Sequence, residues 1–131
     1  MDLSEVFATT DAQEAGSYFE LTDPVRGQAT GIKLLIAGPD SKVSKAALLN
    51  LERESQRASG RNGAVAGERR DQLMEEFLCK VVLGWEAKEK GKPVPFTEEN
   101  LLRLIRAGMW VRAQIDGFAG DRTPYFKALK G

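Results

Sequence analysis

The chain has no histidine, and its 131 residues include a single cysteine, Cys79. Without histidine, the commonest general base and the commonest zinc ligand are missing. No Ser-His-Asp or Cys-His site can be assembled within one chain. One cysteine excludes an intrachain disulfide and any two-cysteine metal site, and such usage is neutral to cytosolic in character. No apolar run approaches the roughly 18 residues of a membrane span. The first ten residues carry two acids and no base, unlike a secretory signal. The glycines of the Gly60–Gly67 stretch follow no strand and lack the Gly-Lys-Ser/Thr of a phosphate loop. These absences argue against an enzyme and predict no cofactor, no metal and no membrane.

What is present is an uneven distribution of charge. The 19 basic and 19 acidic side chains cancel overall. Residues 1–41, however, hold seven acids against two bases, whereas residues 42–70 hold seven bases against three acids. An acidic front and a basic middle can pair within one chain or between copies, and a basic middle also suits nucleic acid. The cluster Arg53, Arg57, Arg61, Arg69 and Arg70 is the candidate for that second use. Nucleic-acid-binding domains usually have a pI above about 9, and this chain sits at 6.3, so a solvated helix face and loop is the plainer reading.

The length suits one domain. The pattern predicts an α+β fold, mainly α-helical, with an N-terminal β-hairpin packed on three or four helices. Residues 1–41 form the N-terminal tail and hairpin, 42–58 a helix, 59–67 a flexible loop and 68–131 a C-terminal helical part. Met1–Gly16 is weakly patterned and reads as a frayed stretch or a single turn. Phe19 and Leu21, then Ile32, Leu34 and Ile36, alternate with neighbours on the other face as strand residues do. Asp23-Pro24-Val25-Arg26-Gly27 supplies the reversal between them. A two-stranded hairpin is marginal alone, so it must dock its apolar face. Self-association by strand addition at its edge is one way.

Asp40 or Ser41 caps a helix over Lys42–Ala58, with Val43, Ala47, Leu48 and Leu51 as its apolar stripe. A second helix begins near Glu68. Its apolar face includes Leu73, Met74, Phe77, Leu78, Val81, Val82 and Trp85, with Gly84 as an interruption and Gly91 as the stop. Lys92–Phe96 is an extended connector, because each proline disfavours helix in the residue before it. Thr97 caps the next helix, which buries Leu101, Leu102, Leu104 and Ile105 and is broken at Gly108. Trp110–Ala119 resumes at helical spacing. The tail from Gly120 reads as irregular, with Tyr125, Phe126 and Leu129 as anchors.

Few side chains carry reactive chemistry. Glu75-Glu76 and Glu98-Glu99 are neighbours on helices, so the members of each pair point apart. Cys79 lies in an apolar helix as an inert core thiol. The aromatics Trp85, Phe96, Trp110 and Phe118 read first as core. A chain this small has difficulty hiding all four, and aromatics anchor protein interfaces, so these four are the candidate partner-binding residues.

The second half has a distinctive order: Trp85-Glu86, then Gly91-Lys92-Pro93-Val94-Pro95-Phe96-Thr97-Glu98-Glu99-Asn100, then Trp110-Val111, Gln114-Ile115 and Phe118-Ala119-Gly120-Asp121-Arg122. It resembles the tail assembly chaperones of long-tailed bacteriophages and prophages, the lambda-type group. Asp23-Pro24 with Gly27, and Gly38-Pro39-Asp40-Ser41, match more loosely. Thr123-Pro124 separate Arg122 from Tyr125-Phe126, whereas the family places the aromatic nearer the arginine. The resemblance implies a non-enzymatic protein of the host cytoplasm that forms homo-oligomers. It implies binding to the tape measure protein, a long helical rod, together with recruitment of tail tube subunits and absence from the finished virion. It also implies that a longer, frameshifted form can exist. The competing readings are a small regulatory or nucleic-acid-binding module and a structural tail or connector subunit.

Overall fold

The computed structural model of the chain describes residues 1–60 and 65–127. Its architecture is α+β, and the described residues form six helices and a three-stranded antiparallel sheet with a small two-stranded ribbon. The expected hairpin is present as β1 (Ser17–Thr22) and β2 (Ala29–Ile36), paired from Ser17 opposite Ile36 to Thr22 opposite Ala29. Asp23 closes its turn by accepting bonds from the Val25 and Arg26 N–H groups, and Gly27 takes a positive φ of 71°.

The hairpin does not stand alone. The segment Val82–Glu86, expected as the end of a helix, is strand β3 on the far side of β2, with Leu34 opposite Trp85. The preceding helix, α3 (Gly67–Val81), stops where the β-branched pair Val81-Val82 meets the open edge of β2. Leu78 through Trp85 is apolar enough for either period, and the unpaired backbone of β2 decides in favour of strand. Strand addition at the β2 edge is therefore already satisfied within the chain. On the β1 edge, the Gln114 side-chain amide accepts from the Thr22 N–H at 3.0 Å and donates to the Thr22 carbonyl at 2.9 Å, taking up the backbone groups of that one residue.

Beyond β3, the expected charged helix end is instead a tight ribbon of β4 (Lys88–Glu89) and β5 (Lys92–Pro93). Lys90 and Gly91 both have positive φ, as two-residue hairpin turns of the I′ kind require. The helix α2 (Lys42–Ala58) has its expected bounds and is capped by Ser41, whose hydroxyl accepts from the Ser44 N–H. Its stripe is rotated from expectation. Ser44 and Ala47 are buried, Val43 and Leu51 are half-buried, and Leu48 is exposed. α2 packs along α3. Between them Ser59 bridges to Val65, so at least this part of the expected loop is paired; Arg61 lies outside the described residues.

Thr97 caps α4 (Glu98–Ile105), and Gly108 separates it from α5 (Met109–Ala119). The tail departs from expectation. Thr123–Lys127 forms a short helix, α6, in which Tyr125 is buried and donates to the Ile36 carbonyl at 3.2 Å. Phe126 stays exposed, and Leu129 lies outside the described residues. The core joins β1, β2, α3, α4 and α5 through Leu21, Leu34, Ile36, Leu78, Val81, Leu101, Ile105, Val111 and Ile115.

The N-terminus differs most. Leu3–Ala15 is a regular helix, α1, opened by a capping box in which the Asp2 carboxylate accepts from the Glu5 N–H and the Glu5 carboxylate accepts from the Asp2 N–H. Its C-terminal end is locked to the turn at Gly38–Lys42. The Gln13 side chain accepts from the Asp40 N–H at 2.7 Å and donates back to the Asp40 carboxylate at 3.2 Å, while Glu14 accepts from the Lys42 N–H at 2.7 Å. Arg122 grips the same Asp40 carboxylate through two bonds of 2.8 and 2.9 Å. One turn thus ties the start of α2 to α1 and to the residues before α6.

Candidate partner-binding site

The residues of the connector build a single local unit. Trp85 reaches across from β3 and donates its indole N–H to the Val94 carbonyl at 2.9 Å. The Val94 N–H is held by Ala87 at 2.9 Å, and Asn100 donates to the Pro95 carbonyl at 3.0 Å. Phe96 stands edge-on to the Trp85 ring, with centroids 5.5 Å apart, a favoured aromatic geometry. The prolines keep this stretch extended, so its carbonyls are free to accept from Trp85 and Asn100 rather than from a helix ladder.

The unit forms one wall of an apolar groove of about 320 Å³, near the lower end of the roughly 300–1,000 Å³ usual for binding pockets. Ile32 of β2, Trp85, Val94 and Leu104 line it, and Lys88, Glu89 and Arg103 stand at its rim. Glu89 and Arg103 pair at 3.1 Å across exposed surface, a contact worth under about 1 kcal/mol in water. The rim is thus charged but pliable, and the wall is apolar and fixed. A second concavity of about 850 Å³ shares Ile32, Trp85, Val94 and Lys88 and runs towards Glu20 and Lys33.

The structure brings Trp85 and Phe96 together. It does not bring Trp110 or Phe118 to them. Trp110 lies in the first turn of α5, with its indole over Gly108. Phe118 packs on Phe19 at 4.9 Å and ties α5 to β1 at the border of the core. Sequence reasoning missed Ile32 and Leu104 as groove residues. Both were legible as apolar, but only the pairing of β3 with β2 places Ile32 beside Trp85.

Of the basic cluster, Arg57, Arg69 and Arg70 have local partners, whereas no ion pair engages Arg53 among the described residues. Arg57 pairs with Glu54 at 3.2 Å, Arg69 with Glu54 and Glu76, and Arg70 donates to the Val65 carbonyl. Glu75, expected to be solvated, is mostly covered and accepts two bonds from Arg106. Cys79 is half-buried, and burial, helped by the nearby Glu98 and Glu75 carboxylates, pushes its thiol up to about 11. Little of it is thiolate at neutral pH. Among the described residues, no three acidic or cysteine side chains gather as a metal site would require, and no helix is long and apolar enough to cross a membrane. No protein-family model, curated protein or solved structure matches the chain.

Proposed function

We propose that the protein is a tail assembly chaperone of a long-tailed phage or prophage. It acts in the host cytoplasm, keeps the tape measure protein from aggregating, helps recruit tail tube subunits and stays out of the finished virion. The observation that carries this reading is that Trp85, Val94 and Asn100, all within the resemblance, line the groove, with Phe96 packed on Trp85 and Asn100 bonded to Pro95. The Gly38–Ser41 turn, which matches more loosely, meets the stronger part of the resemblance, since its Asp40 is the partner of Arg122.

The physical argument concerns what such a groove accepts. A long helical rod awaiting assembly exposes apolar stripes that drive aggregation. An apolar groove takes the anchoring side chains of one helix face. The groove here has room for a few such side chains, and the charged rim keeps it wet when empty. The pairing of Arg57 and Arg69 with acids leaves less positive charge for phosphate and, with the pI of 6.3, makes the nucleic-acid reading the weaker one.

Co-expression with the tape measure protein of the same phage tests the reading. The expected outcome is a tape measure protein that moves from the pellet to the soluble fraction and co-purifies with the chaperone. An unchanged pellet, or recovery of this chain from purified virions, overturns it.

A further inference from the structure

α1 stands clear of the body over its N-terminal half, where residues 1–8 are all exposed. Its two buried side chains, Thr9 and Gln13, are polar, whereas Leu3, Val6 and Phe7 are 71%, 43% and 60% exposed. Spacing of three and four puts those three apolar residues on one helix face. The exposure has a local cause: α1 is anchored at its C-terminal end, where Gln13 is committed to the Gly38–Asp40 turn, so its first two turns, with Leu3, Val6 and Phe7, meet no neighbour that covers them.

The helix is also of one charge sign. It carries Glu5, Asp11 and Glu14 and no base. α2 offers a counterpart. Leu48 and Leu49 are 47% and 58% exposed, with Lys45 one turn before them and Arg53 one turn after. Among the described residues no ion pair engages Lys45 or Arg53. Among the described residues the two apolar patches stay exposed, although the end of α1 meets the start of α2 through Glu14 and Lys42.

We propose that α1 of one copy docks on α2 of a second copy of this chain. Leu3, Val6 and Phe7 cover Leu48 and Leu49, and Asp11, the acid of α1 not engaged at the capping box or at Lys42, faces Lys45 and Arg53. Opposite charge around matching apolar patches selects this occupant, because it supplies attraction at the rim and burial at the centre. The proposal is independent of the chaperone reading and of the Trp85 groove.

Sedimentation of the full chain tests it. The wild-type chain is expected to self-associate, more weakly at about 0.5 M than at about 0.05 M salt. Phe7→Ser and, separately, Leu49→Ser are each expected to raise the dissociation constant about tenfold or more, as loss of a central apolar anchor does. Both side chains are exposed, so far-UV circular dichroism of the free variants stays that of the wild type. A chain carrying Asp11→Lys and a chain carrying Lys45→Glu and Arg53→Glu each associate poorly alone, and mixing the two restores association. A wild-type chain monomeric at about 200 µM, or an oligomer indifferent to both Phe7→Ser and Leu49→Ser, overturns the proposal. So does a monomer whose Phe7→Ser variant fails to keep the tape measure protein soluble, which assigns the face to that partner instead.

Discussion

The two apolar surfaces of this molecule are built in opposite ways. The Trp85 groove is concave, and its walls are continuous with the core: β3 is paired to β2, and Trp85 is held by the connector. The α1 face is convex, and α1 is held at its C-terminal half by Gln13, Glu14 and the Gly38–Lys42 turn and by packing on α6. The groove is therefore fixed by the same burial that folds the chain, whereas α1 is fixed by a handful of hydrogen bonds of about 1 kcal/mol each and one short helix. A partner that docks in the groove meets a rigid wall. A partner that docks on α1 meets a helix able to loosen locally without loss of the fold.

That contrast can be broken from either side, and the largest effect is expected where both surfaces share a foundation. Leu34 is fully buried in the central strand, opposite Phe19 on one side and Trp85 on the other. Leu34→Ala should cost about 3–4 kcal/mol, read by urea unfolding, as a large-to-small change in a well-packed core does. It should blunt both surfaces together.

Gly38→Ala separates them. A Cβ at Gly38 would overlap Cβ and Cγ of Gln13, which are not the free end of a side chain. Overpacking of this kind costs about 2 kcal/mol. Amide exchange should speed up in α1 and stay slow in β2 and β3. Uniform acceleration would contradict the claim that α1 is held separately.

Thr97→Ala acts on the other surface. It removes the hydroxyl that accepts from the Asn100 N–H and should cost about 1 kcal/mol. Trp85 fluorescence should shift as the connector loosens, with α1 exchange unchanged.

The smallest effect is electrostatic. The Arg122 guanidinium holds the Asp40 carboxyl at about 2, against an ordinary 3.8. A carboxyl depressed in the folded state makes its full contribution above its ordinary value and loses it as pH falls through the depressed one. The Asp40–Arg122 pair should therefore stabilise fully above pH 3.8 and fade as the pH falls towards about 2. Both groups are partly exposed, and solvent screening keeps the contribution at or below about 1 kcal/mol. Arg122→Ala should flatten that part of the acid-unfolding profile.

The sequence was most legible where local signals agreed with burial. The hairpin alternation, the Ser41 and Thr97 caps and the Gly108 break all appear where expected. It failed at β3 because Leu78–Trp85 suits both helix and strand, and the choice was made by a strand edge some fifty residues away in sequence. It failed at α1 for a different reason. The apolar residues there mark the outside, so a search for a core-facing stripe finds none. The capping box from Asp2 to Glu5 was the signal that could have found the helix. Of the four candidate aromatics, Trp85 and Phe96 meet because the prolines between β3 and α4 keep the connector extended. Trp110 and Phe118 sit on α5 and face other neighbours.

The central claim is that the Trp85 groove is the surface that shields the tape measure protein. It is tested most directly by co-expressing that protein with wild-type chain, with Trp85→Ala and with Phe7→Ser, and measuring the soluble fraction and co-purification of the tape measure protein. The account predicts solubility with wild type and with Phe7→Ser, and loss of at least about tenfold in co-purified tape measure protein with Trp85→Ala, provided the variant keeps the far-UV spectrum of the folded chain. Full rescue of solubility by a folded Trp85→Ala chain would contradict it.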